Sequence, residues 1–140
     1  MGRKIHHIGI AVKDLKKATK FYQDILGLTL DKELDWEKEG LKAALFPVGD
    51  TILELIEPLN PKGQIAQSVA DAVNLRDGII HHLCYTVNNI EEEIKSLVSK
   101  GIMMFDEKLE ETPGGKAAWL DKKTIEGCMI ELVEEGYEIT

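Results

Sequence analysis

His6-His7-Ile8-Gly9-Ile10-Ala11-Val12 lies near the start of the chain and returns as His81-His82-Leu83-Cys84-Tyr85-Thr86-Val87. A second stretch recurs with it: Ile52-Leu53-Glu54-Leu55-Ile56-Glu57 is matched by Cys128-Met129-Ile130-Glu131-Leu132-Val133-Glu134. Each copy therefore opens on histidine and closes on glutamate. Two copies that each supply one imidazole and one carboxylate can build a four-ligand metal site, which neither half could build alone.

Outward from these stretches the hydrophobic period changes in the same order twice. Alternation predicts a strand over Ile5 to Val12. Leu15, Ala18, Phe21, Tyr22, Ile25 and Leu26 then recur at helical spacing, with Asp14 placed to cap and Gly27 to stop. In the second copy Asn89 is the cap, Glu92 stands in a capping-box position, Ile90, Ile94, Leu97 and Val98 form the apolar face, and Gly101 is the stop. Strands are expected over Leu28 to Leu34, Leu41 to Val48 and Thr51 to Glu57. Their counterparts are Ile102 to Lys108, Lys116 to Asp121 and Gly127 to Glu134. Lys42-Ala43-Ala44-Leu45 matches Lys116-Ala117-Ala118-Trp119. Each copy reads β-α-β-β-β and is too small to bury both faces of its sheet, so two must pack together.

The expected organisation is one α+β domain over 1–140, with one module at about 4–58, a connector at 59–78 and a second module at about 79–136. The connector opens with Pro58, Asn60, Pro61 and Gly63. It then carries Ile65, Val69 and Val73 at four-residue steps, which predicts a turn and a short helix, either a plain connector or a wall at a pocket mouth.

Composition narrows the function. A hydrophobic fraction of 44% is that of a globular chain, and a formal net charge of −8 argues against a nucleic-acid groove or an anionic membrane surface as partner. No run approaches membrane-spanning length, and the early His6, His7 and Lys13 leave no apolar stretch for a signal sequence. Cys84 and Cys128 lack the paired spacing of a zinc ribbon and read as reduced core thiols, in keeping with a cytoplasmic protein.

Alternation also sorts the histidines. His7 shares a face with Gly9 and Ala11, and His82 with Cys84 and Thr86, so small neighbours leave room for a ligand beside each. His6 and His81 fall on the bulky faces suited to packing under a helix. Glu54 and Glu131 are embedded among Leu and Ile, where a carboxylate faces several kcal/mol of desolvation unless a cation or donors compensate it. Only Arg3 and Arg76 could serve as buried arginine partners, so a divalent metal is the better expectation. Glu57, Glu134 and Glu135 fall at strand ends, where solvated charge is the default. Two imidazoles and two carboxylates suit cobalt, manganese, nickel, zinc or iron and leave positions open for Lewis-acid chemistry.

These motifs resemble the vicinal oxygen chelate (glyoxalase/bleomycin resistance/dioxygenase) superfamily and, within it, the methylmalonyl-CoA epimerase family. The match is carried by His-His-Ile-Gly-Ile-Ala-Val at 6–12, Phe-Tyr-Gln-Asp-Ile-Leu-Gly-Leu at 21–28, Pro-Val-Gly-Asp-Thr at 47–51, Leu-Glu-Leu-Ile-Glu-Pro at 53–58, Gly-Ile-Ile-His-His-Leu at 78–83 and Ile-Glu-Leu-Val at 130–133. The resemblance implies two tandem βαβββ modules forming a cupped mixed sheet with helices outside. It implies metal ligands at His7, Glu54, His82 and Glu131, one divalent ion per chain with cobalt preferred, and a homodimer acting on an acyl-CoA. The implied reaction interconverts the (2R) and (2S) thioesters by proton removal at C2 and return from the other face. Ala43 stands where some family members carry a proposed catalytic glutamate. Glu131 is therefore the candidate base for one face, with Glu54 for the other, and Lys116 and Lys123 are candidates for the anionic CoA tail. The alternatives are a glyoxalase I-type lactoylglutathione lyase and a non-enzymatic ligand-binding relative. An extradiol dioxygenase would use two histidines and one carboxylate, leaving Glu54 surplus.

Overall fold

The computed structural model describes residues 3–105, 109–124 and 128–140. The elements in chain order are β1 (Ile5–Ala11), α1 (Leu15–Asp24), β2 (Lys32–Trp36), β3 (Leu41–Val48), β4 (Thr51–Pro58), α2 (Gln64–Leu75), β5 (Ile79–Val87), α3 (Ile90–Ser99), β6 (Glu110–Thr112), β7 (Gly115–Trp119) and β8 (Met129–Glu134), with a 3-10 turn at Lys122–Thr124. They divide into two compact units. The first is His7–His81, and the second joins the stretch through His6 to His82–Thr140.

In the first unit the strands lie in the order β2-β3-β4-β1. β1 runs parallel to β4, with Gly9 opposite Glu54 and Ala11 opposite Ile56, while β3 is antiparallel to β4, with Leu45 opposite Glu54 and Ala43 opposite Ile56. Strand alternation gives this sheet two separate apolar faces. Val12, Ala44, Phe46 and Leu55 pack with Leu15, Ala18 and Tyr22 of α1. Ala11, Leu41, Ala43 and Ile56 pack instead against Ala66 and Val69 of α2. The connector helix thus covers the face that also carries His7 and Glu54. Its buried stripe uses Ala66 and Ala72 beside Val69 and Val73, rather than Ile65, because small residues let the helix approach the sheet closely.

The second unit repeats the plan in the order β5-β8-β7-β6, with β5 parallel to β8 and Cys84 opposite Glu131. Val87, Ala118 and Leu132 pack with Ile90, Ile94 and Leu97 of α3. Cys84, Ala117 and Val133 form the other face, and here the cover is Tyr137 from the segment after β8. That segment is held by the Glu138 N–H, which donates to the Gly114 carbonyl at 3.1 Å.

Both helix starts follow the sequence reading. Asp14 accepts from the Lys17 N–H at 3.1 Å and Asn89 from the Glu92 N–H at 3.0 Å, each satisfying one otherwise orphaned donor. The strand-end glutamates depart from expectation. Glu57 Oε1 accepts from the Leu15 N–H at 2.6 Å and Glu134 Oε2 from the Ile90 N–H at 2.9 Å, so each is half-buried against the positive end of a helix rather than solvated.

Two strand expectations shift. Leu28 and Leu30 pack beneath α1 outside any ladder, and pairing begins only at Lys32. In the second copy Ile102 and Met104 join the α3 core, with a single bridge from Met104 to Leu120, and the paired strand starts at Glu110. The rest of that expected strand, 106–108, and Gly127 lie outside the described residues. Cys84 is buried and Cys128 half-buried, and the two form no disulfide. Among the described residues no helix is long and apolar enough to cross a membrane.

Candidate metal centre

β1 places His7 and β4 places Glu54 on one face of the first unit, with His7 two residues before Gly9, the residue opposite Glu54. Their side chains meet with His7 Nε2 3.7 Å from Glu54 Oε1, at 2% and 5% side-chain exposure. The second unit forms the same pair from β5 and β8: His82 Nε2 lies 3.8 Å from Glu131 Oε1, at 2% and 7% exposure. Two donors each about 2.0–2.2 Å from one ion can stand no more than about 4.4 Å apart. Both pairs satisfy that bound.

The electrostatics favour a cation. Burial lowers the pKa of His7 below its ordinary value of 6.5, with the Glu54 charge opposing, so the imidazole stays neutral near pH 7 and available as a ligand. Glu54 is buried inside an apolar strand beside that uncharged ring, and a divalent ion would offset the cost of burying its charged form. The imidazole and carboxylate donor set thus fits a borderline divalent metal.

The sequence did not single out two aromatic neighbours. Trp119, opposite Glu131 in the β7–β8 register, meets the His82 ring edge-on at a centroid separation of 4.8 Å and orients that imidazole. Burial first, and then the Glu131 charge, push the Tyr137 phenol well above its ordinary range, so it remains protonated. Trp119 could have been found by following the Lys-Ala-Ala repeat one residue further. Tyr137 has no counterpart in the repeat.

His81 is buried against a helix, the connector α2, whereas His6 meets the segment after β8. His6 Nε2 lies 2.8 Å from the Tyr137 carbonyl oxygen, which can only accept, so the ring donates through Nε2–H. His81, 5% exposed, places Nε2 2.8 Å from Ser68 Oγ of α2. Ala43 is fully buried between Ile56 and α2, so β3 offers no carboxylate there. Lys116 Nζ pairs with Glu91 Oε1 at 2.7 Å on the α3 side of β7, and Lys123 is exposed in the 3-10 turn. Lys116 falls on the face of β7 opposite to Trp119, the residue that meets His82.

Residues 6–119 match the model of the Glyoxalase/Bleomycin resistance protein/Dioxygenase superfamily. The chain belongs to that superfamily. Its relatives within the superfamily include the human mitochondrial methylmalonyl-CoA epimerase, 31% identical over 130 residues that make up 92% of this chain and 72% of that one. Among solved structures, a hypothetical protein from Bacillus halodurans superposes with a TM-score of 0.83 at 29% identity, covering 100% of this chain and 99% of that one. The methylmalonyl-CoA epimerase of Mycobacterium tuberculosis gives 0.79 at 28% identity, over 93% and 86%. These superpositions agree with the vicinal oxygen chelate fold expected from the tandem repeat.

Proposed function

We propose that this chain epimerises methylmalonyl-CoA at C2, with His7, Glu54, His82 and Glu131 as one four-ligand set for a divalent ion, cobalt by preference. The observation that carries the proposal is the duplicated His–Glu pair, at 3.7 Å in one unit and 3.8 Å in the other, with all four side chains buried. The similarity to named epimerases over most of the chain supports the substrate.

When bound, such an ion supplies Lewis acidity toward negative charge developing at the thioester oxygen. The rest falls to the protein. Epimerisation needs a proton taken from one face of C2 and returned to the other, each by a group within about 2.6–3.2 Å of the carbon-bound proton's path. Glu131 takes one face and Glu54 the other. In each pair Oε1 is the oxygen nearer the imidazole, and Oε2 is assigned the proton. Trp119 holds His82 in orientation, while Tyr137 and α2 cover the two donor-bearing faces and keep bulk water from them. The buried Ala43 leaves the proton transfers to these carboxylates. The same reading carries a cytoplasmic homodimer, with Lys116 and Lys123 as contacts for the CoA tail.

The test is deuterium incorporation at C2 of methylmalonyl-CoA in D2O, with metal-loaded and chelator-treated protein, beside the glutathione–methylglyoxal hemithioacetal as rival substrate. Exchange that requires metal, with inversion at C2, is expected. Metal-loaded protein that turns over only the hemithioacetal would make the chain a lactoylglutathione lyase. Turnover of neither removes the enzyme reading.

A further inference from the structure

We infer that His81 is a positioning residue which, through Ser68, fastens α2 as the wall that limits the size of the C2 substituent; this rests on the acyl-CoA reading above. His81 Nε2 and Ser68 Oγ lie 2.8 Å apart, and the Ser68 hydroxyl donates to the Ile65 carbonyl one helical turn back. With that proton committed, His81 must be the donor through Nε2–H. A buried imidazole on β5 is thereby hydrogen-bonded to the middle of α2.

What it holds is the cover of the donor face. α2 seats Ala66 and Val69 on Ala11, Ala43 and Ile56. Ile56 follows Glu54 on the same face of β4, so the wall begins one side-chain row, about 7 Å, beyond the Glu54 carboxylate. On β3 Ala43 fills the Ile56 row, while Leu45 stands opposite Glu54 itself. The helix has no side-chain hydrogen bond at its Gly63 N-cap and no acidic residue in its first turn. Backbone bonds from the Lys62 N–H to the Glu39 carbonyl and from the Gly78 N–H to the Ala11 carbonyl tie its flanks, and this packing with the bond to His81 holds its middle. The second unit repeats the device: His6 Nε2 donates to the carbonyl of Tyr137, the residue covering Cys84, Ala117 and Val133. In each doublet one histidine faces the donor set, and its neighbour secures a cover.

The experiment compares Ser68→Ala with His81→Gln, whose side-chain amide can donate as Nε2–H does, in the metal-loaded full chain. Amide hydrogen exchange across α2 is measured against β3, and kcat and KM are measured for methylmalonyl-CoA and its C2-ethyl homologue. Loss of the bond in Ser68→Ala is expected to speed exchange in α2 by roughly tenfold, with β3 unchanged and metal stoichiometry kept. The ethyl-to-methyl ratio of kcat/KM should rise several-fold, mainly through KM, while His81→Gln stays close to wild type in both measurements. Unchanged α2 exchange in Ser68→Ala overturns the fastening role. Faster exchange with an unchanged ratio overturns the size limit. If wild type turns over neither thioester, the epimerase reading and the size limit fail together, and the exchange measurement alone decides the fastening.

Discussion

Glu57 Oε1 accepts the backbone N–H of Leu15 at 2.6 Å, joining the end of β4 to the first turn of α1. Three residues earlier on the same strand, Glu54 points to the opposite face beside His7. β8 repeats both relationships through Glu131 and Glu134. One strand therefore carries two carboxylates with separate tasks.

Replacing Glu57 or Glu134 by Ala removes a charged acceptor from a helix start and is expected to cost about 1–2 kcal/mol, with Gln recovering part of that. Urea denaturation of the apo protein measures the loss. Metal stoichiometry should be unchanged in either variant, since neither side chain reaches the donor set.

Glu54→Leu should act in the opposite sense. Exchanging a buried carboxylate for an apolar side chain of similar size is expected to raise apo stability by about 1–3 kcal/mol. Metal affinity should fall sharply, and added cobalt, expected to raise the melting temperature of wild type, should no longer do so in the variant. Calorimetry with and without chelator gives both readings.

The pH dependence of the apo protein follows from His7. Its pKa in the fold is lowered from 6.5 by burial, so below that pH the unfolded chain binds a proton that the native ring resists. Stability due to this group is fully present above 6.5, declines as pH falls below it, and levels off beneath the native pKa. His7→Asn should show a shallower fall in melting temperature between about pH 7 and 5 than wild type, measured on chelator-treated samples.

Two glycines separate steric from conformational cost. A Cβ at Gly114 would lie 1.8 Å from the Glu138 carbonyl oxygen, whereas one at Gly49, with φ of +60°, meets nothing within 4 Å. Gly114→Ala should force out the segment bearing Tyr137 and cost more than about 3 kcal/mol, against about 1–2 for Gly49→Ala. Thermal melts rank the two.

Much of this was legible in the chain because it is written locally. Strand alternation separated His7 from His6, the caps Asp14 and Asn89 announced both helices, and the carboxylates of Glu54 and Glu131 stood out within apolar strands. What escaped depends on partners distant in sequence. Nothing in a period of two tells that Glu57 will meet Leu15, that His81 will meet Ser68, or that Tyr137 will fold back over Cys84. The edge strands were misplaced for another reason: Leu28, Leu30, Ile102 and Met104 alternate or cluster like strands but are drawn under helices, where burial outweighs ladder formation.

The two-sided use of β4 and β8 also bears on how the chain avoids misfolding. Sliding either strand by one residue would turn its first carboxylate toward a helix core and leave a helix start without its acceptor, besides inverting every leucine and isoleucine. Mispaired forms are thus penalised by charge as well as by oil and water, and the same glutamates that equip the protein for its task proofread the alignment of its sheets.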